Sequence, residues 1–407
     1  MTSENLSLLR PTSIVVDAPP EPSAGDVVTP SLKSKMPSLK PTFKFDKGGR
    51  SRGGSTLVGL DIQPGYVSAV QARVNGSILV QRAAGAPLPP DTVREGEVLD
   101  GNALAETLRE MFNDSRLDKR VRVGVANQRT VLRTLELPPL TDRKELATAV
   151  RFQAEDQVPM PLDNAVLDFH ALGVVDTPAG PRQRVIVVAA QRDMVERLLD
   201  AVRSAGLRPE GVDLSAFALI RSLHRADEEH AGRILYLNVG GLTNMAIAEG
   251  TVCRFTRVVG GGLESMATDI AERNGIKLQD ARDLLSSVDL QDESPAGSLD
   301  SDPSAAPVEQ PAIDARPVLA SGVREIAGEV RNSLDFHRSQ DGGGDVSSVV
   351  LSGPALQISG FARALQSELR VPLTPQTVGL LDESSAGSVS AERLAVATGL
   401  AVEEAPR

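Results

Sequence analysis

One cysteine in 407 residues, no tryptophan, two tyrosines and no apolar run of membrane-spanning length are the first constraints this sequence sets. The lone thiol, Cys253, excludes an intrachain disulfide and any cysteine-built zinc cluster, which points to a reducing compartment. His170, His224, His230 and His337 stand far apart with no partner at ligand spacing, so no metal site is expected from them. Apolar stretches fall short of the roughly 18 to 20 residues of a spanning helix, and the polar, proline-dotted N-terminus lacks a signal-peptide core. With 43 Lys+Arg against 54 Asp+Glu and only nine Phe, the chain has neither the cationic footprint nor the stacking surfaces of a nucleic-acid binder. A Gly-x-Ser-x-Gly elbow and a Walker lysine are missing as well: beyond residue 53 the only lysines are Lys119, Lys144 and Lys277, none after a glycine loop.

What is present is unevenly spread. Residues 1–53 hold seven Pro, eight Lys/Arg and five Asp/Glu, whereas 288–317 hold five Pro, seven Asp/Glu and one Arg. Neither segment has an apolar period able to offset an ordering entropy of about 1–2 kcal/mol per residue, so both are read as disordered, a basic tail and an acidic insert. In the tail, Lys33 to Arg52 meet a single opposing acid, Asp46. The run reads as a solvated linker, or as a weak contact with anionic lipids at roughly 1 kcal/mol per cation near the surface.

Order is expected from Thr56. Residues 56–62 read as a strand ending on an acid, Pro64-Gly65 as a turn, 67–74 as a second strand, Asn75-Gly76 as a hairpin turn and 77–83 as a third strand. A helix follows with Leu104, Leu108, Met111 and Phe112 on one face, then a strand at 121–126. Residues 128–182 form a distinct unit of strand, helix and strand, after which the apolar run 184–190 is read as re-entering the first domain, covered on both faces. From 234 the same grammar restarts: a strand ending on Asn238, a Gly240-Gly241 turn, strand 243–248, an Glu249-Gly250 turn and strand 253–259. Such an internal repeat predicts two related domains across a cleft, at 54–230 and 231–402, the second carrying the acidic insert and closing on a helix at 391–402 before a short tail, 403–407.

The repeated turns carry the candidate chemistry. Backbone N–H groups at two hairpin turns can cradle a polyphosphate, with a carboxylate holding Mg²⁺ through water. The first turn offers Asp61, Gln63 and Gly65; the second offers Asn238, Gly240, Gly241 and Thr243. Gly261 and Gly262 open a helix whose positive end would face the same cleft. Gly353, after strand 349–352, would let backbone approach a planar base. Taken singly, each is better explained as a structural glycine turn, with Asp61 and Asn238 open to stabilising the turns they precede; their order over the chain is the more specific signal.

That order resembles the actin/Hsp70/hexokinase ATPase fold, an α/β architecture of duplicated ribonuclease-H-like domains. Several blocks resemble the PilM family of type IV pilus assembly proteins, which shares with the division protein FtsA an inserted 1C-type (SHS2) subdomain, here 128–182. They include LVGLDIQPGYVSAVQA, EIAGEVRNSLDFHRSQ and, most characteristic, RTLELPPLTDRKELATAVRFQAEDQVPMPLDNAVLDFHALG. The resemblance implies a cytoplasmic protein peripheral to the inner face of the cell membrane. It also implies ATP with Mg²⁺ in the cleft, Asp61 reaching the metal through water, and the N-terminal peptide of the membrane protein PilN in a groove beside subdomain 1C, among other platform proteins. The nucleotide motifs depart from the family: Gln63 replaces a glycine, Pro64 removes a donor, Ser68 stands for a lysine, Asn238 for an aspartate, Arg282 and Leu285 for the ribose-binding Glu and Lys, and Pro354 for a second glycine. An adaptor with little or no ATP turnover is therefore expected, against two alternatives: an FtsA-like filament former, whose C-terminal membrane helix is not seen after residue 402, and an active ATPase or kinase of the same fold.

Overall fold

The structure, a computed structural model, describes residues 57–178, 180–225, 232–291, 314–340 and 342–403. The basic tail and most of the acidic insert lie outside these residues. The edges of the expected insert do not: Val288 and Ala315 are buried, and Arg316-Pro317 opens a helix. Pro317 suits that first turn, where a missing N–H loses no bond.

The first sheet begins with the meander β1 (Val58–Gln63), β2 (Tyr66–Asn75) and β3 (Ser77–Pro87). A two-residue ribbon, β4 (Val93–Arg94) with β5 (Glu97–Val98), leads to α1 (Gly101–Ser115). Asp100 caps α1 by accepting from the N–H groups of Asn102 and Ala103, and its apolar stripe is buried. Strand β6 (Arg120–Val125) returns parallel to β1.

The inserted unit comprises β7 (Val131–Leu137), α2 (Arg143–Ala154), β8 (Ala165–Thr177) and β9 (Gly180–Gln191), with strand order β7-β9-β8. The run at 184–190, expected to rejoin the first domain, is instead the middle strand of this antiparallel sheet. Its covering on both faces has a different origin. Val185, Val187 and Ala189 meet Leu146, Val150 and Ala154 of α2 in a separate small core, while Ile186, Val188 and Ala190 are buried on the opposite face, where α3 also approaches β9. The unit thus extends past 182 to Gln191.

Next come α3 (Arg192–Ser204), β10 (Arg208–Leu214) and α4 (Ser215–Leu223). The second sheet repeats the first: β11 (Arg233–Val239), β12 (Thr243–Glu249) and β13 (Val252–Val259) form a meander, and β14 (Ser348–Ser352) and β15 (Leu373–Pro375) add parallel strands. Helices α5 (Leu263–Asn274), α6 (Leu278–Ser287), α7 (Arg316–Ser339) and α8 (Phe361–Leu369) supply its core with Leu319, Ile326, Phe361 and Leu365. Cys253 is buried, its thiol pushed up to about 12 by desolvation, as suits an inert packing residue.

The second domain ends earlier than residue 402. Strand β16 (Gly379–Leu380) pairs with β3, so the first sheet runs β10-β6-β1-β2-β3-β16. The expected helix at 391–402 is a 3₁₀ turn (Ala391–Leu394) followed by α9 (Ala395–Leu400), which lies on β1 and α4. Glycines permit this return: a Cβ at Gly59 would sit 1.9 Å from the Ala397 carbonyl oxygen, and one at Gly399 would sit 1.9 Å from that of Ala218. Both contacts are with backbone, which cannot swing away. Gly59→Ala is accordingly expected to lose about 1–3 kcal/mol of stability, read from the urea midpoint, by forcing α9 off the sheet.

Candidate functional site

The cleft floor is built where β1 turns into β2 and β11 into β12. Pro64-Gly65 closes the first turn with Gly65 at φ +80°, a left-handed conformation that glycine adopts without strain. Gly240, Gly241 and Leu242 make the second.

The two turns interlock. A Cβ at Gly240 would lie 2.3 Å from Gln63 Oε1, and one at Gly241 would lie 2.2 Å from the Pro64 carbonyl oxygen. Gln63 joins them chemically: its Oε1 accepts from the Gly241 N–H at 3.1 Å, and its Nε2 donates to Asp61 Oδ2 at 2.7 Å. Asp61 is only 3% exposed, and desolvation pushes its carboxyl up to about 7 even though the Gln63 hydrogen bond acts to lower it.

The remaining candidates converge on the same place but face one another. Thr243 Oγ1 donates to the Gly261 carbonyl at 2.6 Å, and the Leu263 N–H, first of α5, donates to the Gly240 carbonyl at 2.8 Å. The Gly262 N–H donates to Ser265 Oγ at 3.1 Å, and a Cβ on Gly262 would be 2.5 Å from the Gly241 carbonyl oxygen. The start of α5, expected to face the cleft, therefore packs against the second turn, its first N–H bonded to the Gly240 carbonyl. Gly353, at φ +101°, presses on the end of β11, where a Cβ would be 2.4 Å from the Val239 carbonyl oxygen and 2.7 Å from Asn238 Oδ1. Asn238 and its cross-strand neighbour Asn244 are buried, and neither Oδ1 has a hydrogen-bond partner among the described residues.

Four rim residues escaped the sequence reading in this role. Arg282 donates from two nitrogens to both carboxylate oxygens of Glu264, with Nε to Oε2 at 2.9 Å, directly over Gly65, whose Cβ would lie 2.3 Å from Glu264 Oε2. Arg393 stacks its guanidinium 4.2 Å above the Tyr66 ring, and burial, with Arg282 nearby, draws its charge equilibrium down. Together with Ile358 these side chains line a cavity of about 280 Å³. Arg282 was legible only as a departure from a ribose-binding motif; Glu264 lies 18 residues from it on another helix, and Arg393 comes from the segment that returns to the first sheet. No local spacing connects them.

A polyphosphate needs free N–H donors, and a divalent cation needs anionic oxygens. Here the Gly241 N–H is taken by Gln63, the first N–H of α5 is taken by the Gly240 carbonyl, and the buried Asp61 carboxyl already accepts from an amide. Among the described residues no group of three or more His, Cys, Asp or Glu side chains is placed to hold a metal. Gln63 thus takes up two of the groups expected to hold ATP and Mg²⁺, the Gly241 N–H and the Asp61 carboxyl.

The family described as type IV pilus assembly protein PilM matches residues 59–295. Among solved structures, the chain is similar to the PilM-PilN type IV pilus biogenesis complex at 27% identity, with a TM-score of 0.68, over 85% of this chain and 98% of that one. The ethanolamine utilization protein EutJ from Carboxydothermus hydrogenoformans matches at 14% identity and TM-score 0.49, over 86% of this chain and 91% of that one. MreB5 of Spiroplasma citri bound to AMPPNP matches at 12% identity and TM-score 0.46, over 84% and 94% respectively.

Proposed function

Because this chain belongs to the PilM family of type IV pilus assembly proteins, we propose that it is an adaptor of the pilus platform, holding the N-terminal cytoplasmic peptide of a PilN-like membrane protein beside the inserted three-stranded unit. The observation that carries this reading is the similarity to a solved PilM-PilN complex across 98% of that chain, together with a family match at residues 59–295 that spans the insert. Among the described residues no helix is long and apolar enough to cross a membrane, so in this reading the protein reaches the inner face of the cell membrane through its partner. Contacts with further platform proteins belong to the same proposal.

The insert offers Phe152, 74% exposed on the side of α2 opposite Leu146, Val150 and Ala154, as an apolar contact for such a peptide. Isothermal titration of the full chain with a synthetic PilN-like N-terminal peptide tests the proposal. Saturable binding is expected, and Phe152→Ala is expected to weaken it about tenfold, or ~1.4 kcal/mol, with an unchanged melting temperature. No detectable binding by the unmodified chain would sink the adaptor reading. Nucleotide turnover has no part in it, since the closed turns support a holding role rather than a cycle of phosphate exchange.

A further inference from the structure

We propose that Gln63 is a built-in latch: its carboxamide occupies the position between the two hairpin turns, holding the cleft closed in the absence of any nucleotide. This inference stands on the cleft alone and survives or fails independently of the peptide-binding proposal.

The argument starts from what each end of the cleft demands. The second turn presents a backbone donor, the Gly241 N–H, and the first sheet presents a carboxyl acceptor, Asp61. A charged ligand bridging them would have to supply an acceptor to the one and a donor or cation to the other. A primary carboxamide carries both functions on one planar group. Gln63 uses them in that sense, Oε1 accepting from Gly241 at 3.1 Å and Nε2 donating to Asp61 at 2.7 Å. A shorter side chain starting from position 63 would not span the gap, and a glycine would leave both groups without this partner.

The surroundings are cut to the same closed state. Gly240 and Gly241 have no room for a Cβ because Gln63 and Pro64 press against them, and Gly262 has none because the second turn is pushed onto it. The contacts of Gln63 and Pro64 with Gly240 and Gly241 cross between the halves, so opening the cleft breaks them together, while Gly262 holds the second turn against α5. Over the top, Glu264 and Arg282 of the second half cover Gly65 and Arg282 reaches toward the Leu88 carbonyl at 3.5 Å, while Arg393 lies on Tyr66. A ligand can favour closure only to the extent that it binds the closed form better than the open one. With the bridging group supplied by the chain itself, that dependence is removed, and the surface offered to a partner stays in one state.

Hydrogen exchange of the 239–243 segment in the full chain, with and without millimolar ATP and Mg²⁺, tests the latch. In the unmodified protein this segment is expected to be protected without nucleotide and unchanged by it. Gln63→Gly is expected to exchange about tenfold faster, and Gln63→Met, which keeps the length but not the amide, is expected to follow it. A change of less than threefold in both variants overturns the proposal. So does an unmodified protein whose 239–243 segment exchanges like open loop and becomes protected only when ATP and Mg²⁺ are added, a comparison that needs no variant to fold.

Discussion

Asp213→Ala is expected to destabilise the protein by about 3–5 kcal/mol, because it leaves the Arg221 guanidinium charged and unpaired in the interior. Both side chains are 1% exposed, and Arg221 Nη2 donates to Asp213 Oδ2. The same guanidinium donates through Nε to the Gly399 carbonyl at 2.9 Å, and Arg122 donates to the Val402 carbonyl at 2.9 Å. Two buried arginines of the first sheet and α4 therefore clamp the chain end that carries α9. Losing the carboxylate frees more than one bond: the 3₁₀ turn before α9 bears Arg393, so the cover over Tyr66 is expected to loosen along with it. Urea unfolding followed by intrinsic tyrosine fluorescence reads the stability change. The double variant Asp213→Leu with Arg221→Met is expected to recover most of the loss, since an apolar pair of similar volume leaves no unpaired charge. A single-variant loss below about 1 kcal/mol would show that the pair is solvated in practice.

Asp61→Asn is expected to act in the opposite direction. The buried carboxyl stands at about 7 against an ordinary 3.8, so between these values the folded chain holds a proton that the unfolded chain has released. Stability from this group is then fully present below about pH 4 and is lost as pH rises through 7, a difference of roughly 4 kcal/mol when converted at 1.36 kcal/mol per pH unit. An asparagine keeps an acceptor for Gln63 and carries no charge. Its variant is expected to match the unmodified protein near pH 4, to exceed it at pH 8, and to show a flatter profile between. Urea midpoints at these two pH values decide the matter. A variant weaker than the parent at pH 8 would mean that the Asp61 charge is compensated by a bound cation.

Much of the cleft was legible because its parts are local. Alternating strands, Pro64-Gly65, Gly240-Gly241 and the glycines before α5 place the turns, and the repeated meander pairs them. The actin-like fold class holds, and the replacement of a glycine by Gln63 was visible as a loss for phosphate approach. What that side chain does instead was not visible, since its partner Gly241 stands 178 residues away. The strand at 184–190 shows a related limit. A run apolar on both faces signals a central strand but not which sheet it is central to, and here it is central to the three-stranded insert, with α2 covering one face.

By itself the sequence determined two hairpin-turn sites in a duplicated α/β chain, an inserted unit with two of its three strands, and a cysteine with no partner, because these depend on period, turn chemistry and composition within a few tens of residues. Only the tertiary structure decided that the turns grip each other through Gln63, that α5 starts against the Gly240 carbonyl, and that the last residues return to the first sheet under Arg122 and Arg221. Those outcomes depend on which distant groups come within hydrogen-bonding distance. That is settled by the closest packing the glycines allow, which no pattern along the chain encodes.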